Sequence, residues 1–188
     1  SDLKDYLESI MVKKEAFLAV HYVGDLIREA SCKIIWKPNA DKYPLRIYDK
    51  DTANRAGCVE IFEMPKENAN GEIPYGRYIG GIDPIDADAG TSLFSIQIMD
   101  TFTDRIVAEY TGRPLEDNRF YEHCRRLLLF YNALALYENN WKGLFTYFEH
   151  KHSVHLLAQK PKVLRDIIMD GGLNKDEYGC RMTKDIKP

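Results

Sequence analysis

Residues 77–140 most constrain what this chain can fold into, because distinct hydrophobic patterns follow one another there in a fixed order. RYIGGID (77–83) is a short apolar run that ends in an acid. In SLFSIQIMD (92–100) Phe94, Ile96 and Ile98 alternate with other residues, and in DRIVAEY (104–110) Ile106, Ala108 and Tyr110 do the same. Two period-two runs joined by residues 101–103 predict an antiparallel hairpin. GRP then stops the strand, and residues 116–131 space Phe120, Cys124, Leu127, Leu128 and Tyr131 as a helix does. NALALYENN (132–140) follows, its ALALY core apolar on both faces, as in a strand buried in mid-sheet. KGLFTYFEHK (142–151) predicts another helix, SVHLLAQ (153–159) another strand and PKVLRDIIMD (161–170) a short helix. The predicted order is βββαβαβα, an α/β fold with helices flanking a mixed sheet.

Upstream, residues 3–29 place Leu3, Tyr6, Leu7, Ile10, Met11, Phe17, Leu18, Val23, Leu26 and Ile27 at spacings of three and four, which predicts one or two amphipathic helices. Residues 33–70 are mixed: Pro38 and Pro44, a β-like run CVEIFEM (58–64), then the turn-rich PKENANGEIPYG. The expected organisation is an N-terminal helical extension and linker over 1–56 and a main α/β domain over 57–188.

A chain of 188 residues, 45% hydrophobic and 29% charged, can bury one substantial core, which excludes the disordered, collagen-like and coiled-coil classes. No run approaches the roughly 18 apolar residues of a membrane span, and SDLKDYLESIMVKKE lacks a signal-peptide pattern, so a soluble, intracellular protein without a membrane partner is expected. Cys32, Cys58, Cys124 and Cys180 are far apart with no CxxC pair, which fits reduced structural thiols. A net charge of −3 excludes the strongly basic nucleic-acid binders. The charge is uneven, however: residues 1–104 carry 12 basic and 18 acidic side chains, residues 105–188 carry 14 and 11.

The chemistry-bearing residues are acids. Asp83 ends the first strand of the αβ pattern, Asp86 and Asp88 follow in the loop IDPIDADAG, and Glu138 ends the ALALYE strand. Like charges delivered by two strand ends raise each other's pKa, a cost that a divalent cation removes. Mg²⁺ prefers hard oxygen ligands, keeps several waters and takes the rest of its shell from substrate phosphate. An Asp before Pro at a strand end is also a common turn device, but Glu138 after five apolar residues is expensive without a partner.

An Asp on the first strand and a Glu on the fourth, after the first long helix, resemble the ribonuclease H-like nuclease fold. YIGGIDPIDADAGTSLFSIQIMD, IVAEYTGRP and YNALALYENNWKGLFTYF are similar to the C-terminal nuclease domain of the large terminase subunit of tailed bacteriophages, above all the crAss-like phage type. The resemblance covers roughly residues 57–180. It implies a mixed central sheet in βββαβαβ order and an endonuclease that cuts concatemeric double-stranded DNA during packaging. The implied chemistry is two-metal-ion phosphodiester hydrolysis with Mg²⁺ or Mn²⁺. By position it assigns catalytic metal ligation to Asp83 and Glu138 and a further loop ligand to Asp88, with Asp86 as second choice. The partners it implies are the terminase ATPase motor domain, the portal protein and the small terminase subunit, and the place is the host cytoplasm rather than the virion. Two departures stand out. No GxxxxGK[ST] phosphate loop occurs, so ATP hydrolysis is not expected of this chain. The family's third acid lies beyond the GCRMT segment, and Asp166, Asp170, Asp176 and Asp185 lack its paired-acid context, so that ligand is expected outside these 188 residues. The rival readings are a resolvase or transposase-type nuclease, which shares the acids without the YENN-x-x-G context, and a non-catalytic DNA- or portal-docking module.

Lys142, Lys151, Lys160, Lys162 and Arg165, opposed by Glu149 alone, are the candidate DNA-backbone contacts. Arg113, Arg125 and Arg126 are either phosphate contacts or surface charges. His150, His152 and His155 fit no standard zinc spacing. The helical spacing of Trp141, Phe145, Tyr147 and Phe148 favours core packing over base stacking. Asn139 and Asn140 are expected to orient Glu138, and Gly143 to permit a close backbone approach.

Overall fold

The computed structural model describes residues 22–45, 55–85, 92–140, 142–160 and 178–180. Seven strands, β1 (Val23–Arg28), β2 (Ile34–Pro38), β3 (Cys58–Ile61), β4 (Tyr78–Asp83), β5 (Phe94–Asp100), β6 (Arg105–Gly112) and β7 (Leu134–Tyr137), form one mixed sheet in the order β2-β1-β3-β6-β5-β4-β7. Every pairing is antiparallel except β4 with β7, which is parallel. Parallel neighbours require a crossover, and helix α1 (Asp117–Tyr131) lies in the connection from β6 to β7. Helix α2 (Gly143–His150) and a 3₁₀ turn (Val154–Leu156) follow.

The alternation in the sequence sets the two faces of the sheet. Tyr78, Gly80 and Ile82 of β4, with Phe94, Ile96 and Ile98 of β5, point to the side covered by α1 and are buried. Phe120, Cys124, Leu127, Leu128 and Tyr131 of α1 meet them there, and Phe94 lies 4.6 Å from Phe120 between ring centroids. Each such large apolar side chain contributes about 1.5–3 kcal/mol by leaving water. Gly80 is where α1 comes closest: a Cβ on it would stand 3.0 Å from Leu128 Cδ2 and 3.0 Å from Ala135 Cβ. The helix ends at Asn132, whose left-handed φ of 49° suits Asn, and the Ala133 N–H closes onto the Leu128 carbonyl.

Four departures from the sequence reading have physical causes. Residues 23–28 form a strand, not the end of an amphipathic helix. Spacings over so short a run fit both periods, and the hairpin with β2 together with the pairing of Val23 and Gly24 to β3 decides between them. The described part of the N-terminal region is therefore an extension of the sheet. Residues 153–159 form a 3₁₀ turn and single bridges rather than a strand; Leu156 and Leu157 are buried at consecutive positions, which an alternating strand does not allow. Strand β7 lies at the end of the seven-stranded sheet, not in its middle. Its outer edge is closed instead by single bridges from Leu157 to Ala135 and from Cys180 to Glu138. In β6 a bulge opposite Ile98 and Met99 turns Val107 inward and leaves Ile106 exposed, breaking the expected alternation. The predicted helix over 161–170 and the N-terminal residues 3–21 lie outside the described residues.

Arg125 and Arg126 are tied into the fold rather than standing as plain surface charges. Arg125 is buried and holds the Glu122 carboxylate through Nε (2.8 Å) and Nη2 (2.9 Å). Arg126 Nε adds 2.7 Å to the same group, and its Nη1 donates to the Leu26 carbonyl. The Tyr147 hydroxyl of α2 donates to Glu122 at 2.9 Å, so one carboxylate ties together α1, α2 and, through Arg126, β1. Burial alone would raise its pKa, but the bonds from Arg125, Arg126 and Tyr147 outweigh that and bring it to about 2. Next to it His123 stacks on Tyr110, 4.6 Å between centroids, and burial, reinforced by the Arg126 charge, pushes its imidazole down to about 4.

Both shifts are downward, so both contributions to stability are present at neutral pH and fade in acid. His123 is neutral in the fold but protonates in the unfolded chain near pH 6.5, so its contribution fades from there to about pH 4. Loss through Glu122 follows below its ordinary value of 4.5, reaching about 1–2 kcal/mol once solvent screening is allowed for. The expected outcome is a melting temperature that falls steadily as pH drops from 6.5 to 4, and a His123→Phe variant, which keeps the stack, for which that segment is flatter. Thermal melts across this range read both.

Candidate functional site

The face of the sheet opposite α1 carries no described helix. On β4 the residues facing it are Ile79, Gly81 and Asp83, all exposed, because the YIGGID pattern puts every other side chain there. Its floor continues into β5 with Ser95 and Gln97, and into β7 with Leu136. Register fixes their order: Gly81 lies between Gln97 of β5 and Leu136 of β7, and Asp83 stands beside Ser95. Pairing of Ile82 with Tyr137 brings Glu138 level with Asp83, and the Glu138 N–H donates to the Ile82 carbonyl at 3.1 Å. Adjacent strands lie about 4.8 Å apart, so two carboxylates from distant parts of the chain start from neighbouring backbone positions.

These residues line an open cleft of about 440 Å³, walled by Gly81, Ile82, Asp83, Ser95, Gln97, Leu136, Tyr137, Glu138 and Cys180. The Asn140 side-chain amide donates to Glu138 Oε1 and so fixes that carboxylate's rotamer. Asn139 works differently. Its side chain donates to the Tyr178 carbonyl at 2.9 Å and its backbone N–H to the Cys180 carbonyl at 2.8 Å, stitching residues 178–180 to the end of β7. Gly179 allows that close approach: its φ is +71°, and a Cβ there would sit 2.8 Å from the Tyr137 carbonyl oxygen. Cys180 thereby reaches the cleft wall, where burial pushes its thiol pKa up against the opposing pull of Lys160.

Of the five basic candidates, Lys160 is not among the cleft-lining residues, although its charge acts on the Cys180 thiol. Lys142 and Lys151 flank opposite ends of α2, and Lys151 Nζ lies 5.6 Å from the centre of the Tyr147 ring. Lys162 and Arg165 lie outside the described residues, as do Asp86, Asp88 and Trp141. Arg113 is engaged locally, with Nη1 donating to the Ser92 carbonyl at 2.7 Å. The three His candidates are all exposed, and among the described residues no group of three or more His, Cys, Asp or Glu is arranged to hold a metal. Phe148 is fully buried and Phe145 packs on Tyr178, as core residues do. A Cβ on Gly143 would come 2.6 Å from the Tyr121 hydroxyl, the close approach expected of that glycine.

Ser95 and Gln97 are not among the candidates read from the sequence, and Cys180 is named there only as a structural thiol. The first two are legible as polar-face positions of β5, but their adjacency to the acids depends on which strand pairs with which. None of the four cysteines is in a disulfide: Cys58 and Cys124 are buried, Cys32 is exposed and Cys180 partly so. No described helix is long and apolar enough to cross a membrane. The chain matches no protein-family model and no curated protein sequence.

Proposed function

We propose that this chain is a divalent-metal-dependent DNA endonuclease domain of ribonuclease H-like fold, of the kind that cuts concatemeric DNA in viral genome packaging. The observation that carries the reading is the adjacency of Asp83 and Glu138, level with each other at the ends of two parallel neighbouring strands, on an open face. The strand order supports it: β6-β5-β4 is an antiparallel meander, and β7 returns beside β4 after α1, as the ribonuclease H-like arrangement requires.

The donor set suits a hard cation. Two carboxylates side by side repel each other, and Mg²⁺ or Mn²⁺ relieves that while accepting water and phosphate oxygen for the rest of its shell. When bound, such an ion polarises the phosphoryl oxygens and makes water a better nucleophile at neutral pH. Asp83 and Glu138 would hold it, and the Asn140 amide, which donates to Glu138 Oε1, would help to orient that carboxylate. The sequence supplies Asp88, and next to it Asp86, within five residues of Asp83 for a second ion. Lys160, whose charge acts on Cys180 of the cleft wall, would be a contact for the DNA backbone. The terminase context would add the ATPase motor domain, the portal protein and the small terminase subunit as partners in the host cytoplasm.

Titrating Mn²⁺ into the chain by calorimetry tests the reading. Saturable binding, lost in a variant carrying both Asp83→Asn and Glu138→Gln, is the expected result. A chain that takes up no Mn²⁺ refutes the metal centre and favours the docking module, while preference for branched over linear DNA in a binding assay would favour a resolvase-type enzyme.

A further inference from the structure

The two glycines of β4 have different reasons to be there. Gly80 is required by packing, since a Cβ would press on Leu128 and Ala135 at 3.0 Å. For Gly81, among the described residues, every usual structural reason fails. A Cβ there would meet nothing within 4 Å, its φ is not in the left-handed region, and the β4–β5 register runs unbroken from Tyr78 with Asp100 to Asp83 with Ser95, so there is no bulge at it. A glycine inside a strand weakens it through backbone entropy and lost side-chain contacts, and commonly marks a place where a ligand comes close to the backbone.

The surroundings of Gly81 define what would come close. It lies in the cleft floor on the same face as Asp83, two residues or about 7 Å along the strand. On one side is Leu136, 38% exposed, and on the other the exposed amide of Gln97. A bare backbone strip between an apolar side chain and an amide, next to two carboxylates, fits a ligand whose anionic group would be bridged to the acids by a divalent cation and whose flat, partly apolar body lies beside it.

We propose that Gly81 keeps open a seat for the sugar of the nucleotide adjoining the phosphate that a cation at Asp83 and Glu138 would hold, with Leu136 against its carbon face and Gln97 as hydrogen-bond partner. This rests on the metal-dependent nuclease reading and adds to it a residue that admits substrate without touching the metal. A side chain at position 81 fills the seat, while the strand gains a residue that suits it better than glycine.

The test compares the intact chain with Gly81→Ala and Gly81→Val, using thermal melts, Mn²⁺ calorimetry and fluorescence anisotropy of a labelled DNA duplex in Ca²⁺. Gly81→Val is expected to melt at or above the unmodified chain and to bind Mn²⁺ within about twofold, yet to lose about tenfold or more in DNA affinity, a cost of about 1.4 kcal/mol. Gly81→Ala should fall between them. DNA affinity of Gly81→Val within about twofold of the unmodified chain overturns the seat. So does a lowered melting temperature for both variants, which would mean the chain's own residues fill the space. An unmodified chain that binds Mn²⁺ but no DNA also overturns the seat while leaving the metal centre standing. One that binds no Mn²⁺ removes the nuclease reading and the seat with it.

Discussion

In a chain extended beyond residue 188 to include the third acid that the resemblance implies, Asp83→Asn and Glu138→Gln are each expected to lower Mn²⁺-dependent nicking of supercoiled plasmid by about 10³-fold or more, with no loss of thermal stability. The expected size follows from the role. A ligand that positions a cation on a phosphoryl group contributes several kcal/mol to the transition state, and each 1.36 kcal/mol is a factor of ten. The unchanged stability follows from the placement. Asp83 is exposed, has no role in the core and stands next to another acid, so neutralising it removes repulsion when no cation is bound. Asn140 donates to Glu138, and Gln at that position still offers a carbonyl to receive the bond. Plasmid nicking and thermal melts on the same preparations decide the matter. A variant that nicks at the unmodified rate clears its residue of any catalytic part, and one that melts far lower assigns that residue to the fold instead.

At the other end of the same hairpin, Asp100→Ala is expected to lower the melting temperature by about 6–10 °C. Asp100 is fully buried, and its carboxylate serves two partners: Arg77 Nη2 donates to Oδ2 at 2.9 Å and the Phe102 N–H to Oδ1 at 3.0 Å. Burial alone would raise the pKa of this carboxyl; the Arg77 and Phe102 bonds reverse that and leave it below the ordinary carboxylate range. Arg77 in turn is laid over the rings of Tyr78 and Phe102, so the guanidinium is held even without the acid. Removing Asp100 leaves that cation facing an emptied pocket, which is the costly way to break a buried pair. Asp100→Asn should recover little, because an amide has one acceptor oxygen and this site needs two. Melts of both variants by fluorimetry test this; an Asn variant as stable as the unmodified chain would contradict it. As the folded carboxyl titrates below its usual value, this contribution too is present at neutral pH and lost in acid.

Much of this is legible in the sequence. Strands β4, β5 and β6, helices α1 and α2, and the ends of β4 and β7 as carriers of the acids all fall where the hydrophobic spacing puts them. These elements are long enough, or alternate cleanly enough, for local pattern to overrule ambiguity. Val23, Leu26 and Ile27 show the limit: three apolar residues at such spacings suit a helix turn or a short strand, and hairpin pairing of Leu26 with Trp36 and of Ile27 with Ile35 makes the choice. Leu156 and Leu157 show another limit, since a consecutive apolar pair is consistent with an interior strand and equally with a turn tucked under the sheet edge. The cleft itself was half visible. Asp83 and Glu138 could be named because acids at the ends of apolar runs are anomalous, whereas Ser95, Gln97, Gly81 and Cys180 are ordinary residues whose meaning lies in their neighbours.

The sequence by itself determined which side chains share a face, because the period of two along a strand and of 3.6 along a helix is a local property of the backbone. It therefore determined that Asp83 faces away from Tyr78 and Ile82, and that Phe120, Cys124 and Leu127 form one stripe. Only the tertiary structure decided which strands are neighbours. The parallel pairing of β4 with β7 brings Glu138 level with Asp83 across 55 residues of chain, and residues 178–180 close the far wall with Cys180. Hydrogen-bond registers between distant strands are set by the packing of α1 on the sheet, where Gly80 admits Leu128, and no local spacing encodes them.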